Sequence, residues 1–341
     1  MVQLRYKIRK HRRRAAINNM LHELNILGGN MKIISIDHGN RLIKTPSVVF
    51  PASYGDTSKL PDIANDTLIF EGREYALTDQ RKPVMMDKTE NDDYFILTLF
   101  ALGKELRPND LVQYVDLLVG LPLQHYKEYK ARFEMYFKRS KGMYENISFM
   151  YNGSKYSIKI NTVNAYPQAH SAALTVASKI SESRIVNIID IGGYTVDCLQ
   201  MDNFSPNMEL CTSLYLGVNT MFDAVNKKVR AGGKKEIPDK IIEGILSNDL
   251  SILKDSSEGR IQVVQEVAQE HANKIIAEVA QQGFDLEEDK TVFMGGGAIL
   301  LQKYIIMSGK VKKPVFLTDV QANAKGYMLR HELERNKKGH G

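Results

Sequence analysis

Lys32-Ile33-Ile34-Ser35-Ile36-Asp37-His38-Gly39-Asn40 is an aliphatic run that stops at an aspartate and a glycine. Arg184-Ile185-Val186-Asn187-Ile188-Ile189-Asp190-Ile191-Gly192-Gly193-Tyr194-Thr195 does the same in the second half of the chain. Each run reads as a buried strand from its continuous apolar character. The aspartate puts a carboxylate at the strand end, and the glycine lets the backbone turn sharply with its N–H groups free. A single turn of this kind carries little, because aspartate at a strand end often does no more than cap the turn. Two of them, one per half, predict two hairpins that close on a metal–phosphate group from opposite sides.

The rest of the composition narrows the field. A chain of 341 residues is long enough for two domains, each with its own core. With 43% hydrophobic and 25% charged residues it has the balance of a soluble globular protein. No apolar stretch approaches the roughly 20 residues that span a bilayer, so no membrane association is expected. Cys198 and Cys211 form no Cys-x-x-Cys pair, which supports neither a zinc site nor a disulfide framework and fits a cytoplasmic setting.

The net charge of +6 sits entirely in residues 1–30, where Arg5, Lys7, Arg9, Lys10, Arg12, Arg13 and Arg14 face only Glu23. The neutral remainder offers no electrostatic footprint for nucleic acid, so direct nucleic-acid binding by the folded body is not expected. The basic segment has the composition of an arm for DNA or an acidic partner, or of a targeting peptide. It also has the composition of non-native leader: Leu27-Gly28-Gly29-Asn30 can be encoded by GGAGG a few bases before the Met31 codon, as a ribosome-binding site would be. Translation from Met31 is the expectation, with 1–30 non-native or disordered.

From Met31 the pattern is mixed α/β. Further strands are expected at Val48-Val49-Phe50-Pro51 and over 115–122, and hairpins turn at Glu71-Gly72 and Asn152-Gly153, the latter pairing 147–151 with 155–160. Helices are expected over 91–106, 124–141, 169–180, from Val218, and over about 259–282. Thr291-Val292-Phe293-Met294 then runs into Gly295-Gly296-Gly297. The charged tail from His331 is expected to fray. Each half thus opens with a strand–Asp–Gly hairpin, which points to duplication of one α/β unit around a ligand cleft.

Two familiar phosphate-binding motifs fail. No G-x-x-x-x-G-K-[ST] loop is present. The Gly295 segment does not complete G-x-G-x-x-G, because position 300 is leucine. Phosphoryl transfer in a cleft fits better. The N–H groups of Gly39 and Asn40, and of Gly192, Gly193, Tyr194 and Thr195, can clasp β- and γ-phosphates as a nest. Lys44 can reach them as a point charge, although a solvated strand lysine is an equal reading of it. Asp37 and Asp190 are placed to hold Mg²⁺ through its waters, since that ion dehydrates reluctantly. The histidines lack metal spacing, and the Met and aromatic residues read as core.

At this point the residues resemble the actin, heat-shock-chaperone and sugar-kinase ATPases, and within them the actin-like proteins of the ParM/Alp type that segregate plasmids. The likeness runs from Met31 to about Arg330 and rests on seven segments in order. They are 36–44, Val119-Gly120-Leu121-Pro122, 165–173 as a first connecting helix, 190–197, Leu216-Gly217-Val218-Asn219, Met294-Gly295-Gly296-Gly297-Ala298, and Asn323-Ala324-Lys325-Gly326-Tyr327 at a closing helix.

The resemblance implies an actin-like duplicated fold. Its two domains, each with a mixed five-stranded sheet flanked by helices, would span 31–188 (with a small insert at about 52–112) and 189–330 (insert at about 222–285), leaving 331–341 as a tail. It also implies that Gln168 orients the attacking water, with Asp190 and Asp37 as its catalytic and metal partners. Gly217 joins the nucleotide-binding set, Gly295, Gly296 and Gly297 approach the ribose and α-phosphate, and the helix near 237–245 lies by the base. Gln168 as an amide orients water but is a poor general base. His38 departs from the hydrophobic or aromatic residue commoner in such hairpins.

Three functional classes follow. The first is an ATPase or GTPase that forms filaments with itself and moves plasmid or mobile-element DNA through a DNA-bound adaptor. The second is a monomeric sugar or carboxylate kinase or polyphosphatase, which needs an acceptor pocket and a dedicated catalytic aspartate. The third, a chaperone-like ATPase, needs a further substrate-binding domain. The first is the expectation.

Overall fold

The computed structural model describes residues 31–56, 66–80, 85, 87–109, 111–139 and 146–339. The leader 1–30 and the end of the expected 124–141 helix lie outside the described residues. Strand β1 (Met31–His38) is buried from Ile34 onward and turns into β2 (Leu42–Lys44), with Asp37 opposite Lys44. β3 (Val49–Pro51) completes an antiparallel meander. After β4 (Tyr54–Asp56), β5 (Thr67–Phe70) and β6 (Arg73–Leu77), helix α1 (Asp93–Glu105) crosses to β7 (Gln113–Leu121), which lies parallel to β1. A 3₁₀ turn at Leu123–His125 leads into α2 (Tyr126–Lys138), then β8 (Ile147–Tyr151) and the long β9 (Ser154–Pro167).

The linker to the second half is helical in pieces: α3 (His170–Ala173), a 3₁₀ turn and α4 (Ala177–Ile180). β10 (Ile185–Ile191), β11 (Val196–Asp202) and β12 (Ser205–Leu214) form a second antiparallel meander. Helices α5 (Val218–Ala231), α6 (Asp239–Leu246), α7 (Leu250–Lys254) and α8 (Glu258–Gln281) follow. β13 (Lys290–Met294), α9 (Gly296–Met307), β14 (Pro314–Phe316) and α10 (Ala322–Gly339) end the chain.

The duplication is explicit in the sheets. The first reads β3-β2-β1-β7-β9 and the second β12-β11-β10-β13-β14. Each is a meander whose first strand pairs in parallel with a later one. In the first half the sheet runs on through β8-β5-β6-β4, so that among the described residues it has nine strands in place of the expected five, because the inserted hairpins pair onto its edge at β8. Among the described residues, this extension shares the core of the first half. Leu68 of β5 packs in one cluster with α1 and with Ile34, Ile36, Val115 and Leu117. Burial of each such aliphatic side chain is worth about 1.5–3 kcal/mol.

Four boundaries differ from the sequence reading, each for a physical reason. β9 does not stop at Ile160. Asn161 is an extra residue opposite the step from Val115 to Asp116, and this bulge breaks the alternation that would otherwise mark a strand. Ala165, Tyr166 and Pro167 are therefore the end of β9, and the connecting helix starts only at His170. The division at 188/189 falls inside β10, so the second half begins before Ile185. Residues 331–339 continue α10 instead of fraying, held by the Arg330–Glu334 pair and by Tyr166 OH on His331 Nδ1 at 2.8 Å.

The two linkers cross between the halves. α3 and α4, which follow β9, pack on the second sheet against Val186, Ile188, Val292 and Met294. α10, which follows β14, returns to the first sheet, where Tyr327 packs with Leu118 and Tyr166. Ser35 Oγ donates to the Ala324 carbonyl at 2.6 Å, fastening α10 to β1.

Candidate functional site

Both sheets deliver their first-strand aspartates to one place. Asp37 is the penultimate residue of β1 at 2% exposure, and Asp190 stands near the end of β10, partly buried. Between the halves lies a cavity of about 320 Å³. Asp37, Gly39, Asn40 and Lys44 line it from the first half, with Gln168 from the segment after β9. Asp190, Gly192, Gly193, Tyr194, Thr195, Gly296 and Gly297 line it from the second.

Gly217 and Gly295 do not line the cavity; they shape its wall. A Cβ on Gly217 would lie 2.4 Å from the backbone of Gly193 and Tyr194. That close approach lets α5 cap the second turn, with Gly217 N, Val218 N and Asn219 N donating to the carbonyls of Tyr194, Gly192 and Gly193. Gly295 has φ +86°, which glycine adopts freely, and a Cβ there would lie 2.4 Å from Asp190 Oδ1.

Asp37 is held on three sides. Its Oδ1 accepts from Gln168 Nε2 at 2.9 Å and from Tyr327 OH at 3.4 Å, and its Oδ2 faces Lys44 Nζ at 3.5 Å. Gln168 lines the cavity with its amide nitrogen on a carboxylate, and its carbonyl oxygen is its acceptor atom. Asp190 Oδ2 accepts from Asn323 Nδ2 at 3.1 Å. Burial pushes the Asp190 carboxyl up to about 6; the Lys44 charge opposes this, and Asp197 and Asp37 add to it. Asp197 itself accepts from Ser213 Oγ at 2.5 Å and Thr195 Oγ1 at 3.3 Å. Oxygen donors that repel one another in this way suit a hard cation that keeps its own waters. Among the described residues, no group of three or more His, Cys, Asp or Glu side chains is placed to hold a metal directly.

Several lining residues had no role in the sequence reading. Lys88, from the loop before α1, donates to the His38 carbonyl and lies over the Tyr94 ring at 5.2 Å. Burial pulls its ammonium down to about 8, against the attraction of Asp37 and Asp197. No spacing or motif marks it in the chain. Arg41, next to the first turn, reaches across the cavity to pair with Glu243 of α6. Asp197, Asn323 and Tyr327 lay in segments already singled out, but nothing local showed what they touch. Away from the carboxylates the wall is apolar, formed by Val218, Ile299, Leu300 and Val320.

His38 is a core residue, not a phosphate contact. Thr98 Oγ1 donates to the Tyr94 carbonyl, so at 2.8 Å it accepts from His38 Nε2. The ring stacks on Phe137 at 4.6 Å, taking the place of the usual apolar side chain. Burial, then the Lys88 charge, holds its pKa well below the ordinary histidine value.

A duplicated α/β chain with two facing Asp-Gly turns and a hinge of crossed linkers defines the actin-like fold. Residues 28–170 match the N-terminal domain of actin-like proteins, and residues 188–306 match the C-terminal domain of the archaeal MreB-like actin homologue. The two models together span most of the chain, and the chain belongs to the actin-like proteins.

Solved structures agree on the fold. Ta0583, an archaeal actin homologue in complex with ADP, is 18% identical with a TM-score of 0.69, covering 89% of this chain and 100% of that one. The subunit of a 15-stranded ParM filament from Clostridium botulinum is 18% identical with a TM-score of 0.67, covering 89% and 99%. The apo psk41 ParM protein is 14% identical with a TM-score of 0.65, covering 91% and 99%. No curated protein sequence matches the chain.

Proposed function

We propose that the protein is a nucleotide-dependent, filament-forming ATPase or GTPase that acts in the cytoplasm. The observation that carries this is the convergence of Asp37 and Asp190 on one cavity, each beside a glycine turn. In this reading the N–H groups of Gly39 and Asn40 and of Gly192, Gly193, Tyr194 and Thr195 cradle the β- and γ-phosphates. Lys44 and Lys88 supply positive charge, and Lys88 keeps its proton at neutral pH. Gly296 and Gly297 admit the ribose and α-phosphate, and the base rests on the apolar wall beside Glu243.

Asp37 and Asp190 would hold Mg²⁺ through its waters, and the ion would neutralise charge on the phosphate oxygens. Gln168 orients the attacking water through its carbonyl oxygen, while its amide nitrogen stays fixed on Asp37. The water oxygen bonds to the terminal phosphorus as the bridging P–O bond breaks, giving a nucleoside diphosphate and inorganic phosphate, which takes up the water's proton. An amide that positions water without taking a proton suits slow, assembly-coupled turnover.

Self-assembly would proceed by head-to-tail contacts, which propagate without closing. Support comes from the filaments formed by structural relatives. A DNA-bound adaptor would couple the filament to plasmid or mobile-element DNA, in keeping with a body that carries no net charge beyond residue 30. No helix among the described residues is long and apolar enough to cross a membrane. Phosphate release tests the site. Asp190→Ala is expected to abolish it with ATP or GTP and Mg²⁺, and Gln168→Ala to slow it while leaving assembly intact. Wild-type turnover in either variant overturns the assignment.

A further inference from the structure

Helix α10 brings two side chains, one turn apart, to the two carboxylates that face each other across the cavity. Asn323 Nδ2 donates to Asp190 Oδ2 at 3.1 Å, and its Oδ1 accepts from Ala169 N at 2.9 Å. Tyr327 is fully buried, and its phenol donates to Asp37 Oδ1 at 3.4 Å and also hydrogen-bonds Gln168. The space for this phenol exists because β7 carries Gly120, where a Cβ would lie 1.9 Å from Tyr327 Oη. The aspartates belong to different halves of the molecule, yet both are fastened to one helix whose backbone is itself fastened to β1 through Ser35 and Ala324.

We infer that Asn323 and Tyr327 are positioning residues for hydrolysis: α10 acts as a strut that fixes the separation of Asp37 and Asp190 and, through the Tyr327 phenol, the pose of Gln168. This rests on the nucleotide-hydrolysis reading above. Positions i and i+4 of a helix lie on one face, so the two contacts share a single rigid support. Tyr327 stands behind the cavity wall, and Asn323, which lines the cavity, has its amide nitrogen on Asp190, so each acts through the carboxylate it holds. Partners of this kind commonly change activity 10- to 100-fold when removed.

Tyr327→Phe removes only the hydroxyl and keeps the ring that stacks on Tyr166. Single-turnover phosphate release, binding of a fluorescent nucleoside triphosphate and thermal melting are measured on the full chain for wild type, Tyr327→Phe and Asn323→Ala. The expected result is a fall of about 10-fold or more in the hydrolysis rate of each variant, with nucleotide affinity within about twofold and the melting temperature of Tyr327→Phe unchanged. Hydrolysis in Tyr327→Phe within twofold of wild type overturns the inference. So does a parallel loss of rate, affinity and melting temperature, which would mark a packing role. If wild type itself binds and hydrolyses no nucleotide, the hydrolysis reading fails instead, and the two failures are distinct.

Discussion

Asp190 shows how the site strains the fold that carries it. Its carboxyl is pushed up to about 6 from the ordinary 3.8, chiefly by burial. Between those values the folded chain holds the proton that the unfolded chain has already released. Stability therefore falls as pH rises through about 4 to 6, and the loss stays constant above that window. In metal-free buffer without nucleotide, Asp190→Asn should be more stable than wild type by about 1–3 kcal/mol at pH 7.5. By about pH 4 the advantage should vanish. Urea denaturation at the two pH values checks this, and equal stability at pH 7.5 would show that the carboxylate is not strained. A buried carboxylate that costs stability when charged is a candidate functional group.

The elements that were legible from sequence are those whose ends carry chemistry. β1 and β10 announce themselves because an aspartate and a glycine close each apolar run, and twelve of the expected site residues line one cavity as a result. β9 was read short because Asn161 shifts its alternation by one residue. Lys88, Arg41 and Glu243 had no local mark, since each owes its place to a partner far along the chain. Gly217, expected in the nucleotide-binding set, does not line the cavity; it lets α5 meet the second turn. Gly217→Ala should push that turn out of place, lowering stability by about 1–3 kcal/mol and weakening nucleotide binding. Denaturation and fluorescent-nucleotide titration read both effects, and a variant with wild-type affinity would show that the turn tolerates the methyl group.

At the scale of the whole molecule, the duplication makes function a matter of how two halves sit around one cleft. α3, α4 and α10 cross at its base, while Arg41 and Glu243 pair across the cavity. Breaking that pair should ease exit of the nucleotide. Glu243→Arg is expected to speed release several-fold in a stopped-flow chase, and Arg41→Glu combined with Glu243→Arg to restore it in part. An unchanged rate in the single variant would remove the pair from the release step. The central claim, that nucleotide in this cleft drives assembly, is tested most directly by light scattering with negative-stain imaging after addition of ATP or GTP with Mg²⁺. The account predicts filaments with at least one of the two nucleotides, and none without nucleotide. No assembly with either nucleotide over a wide protein concentration range, together with phosphorylation of a small acceptor, would contradict it.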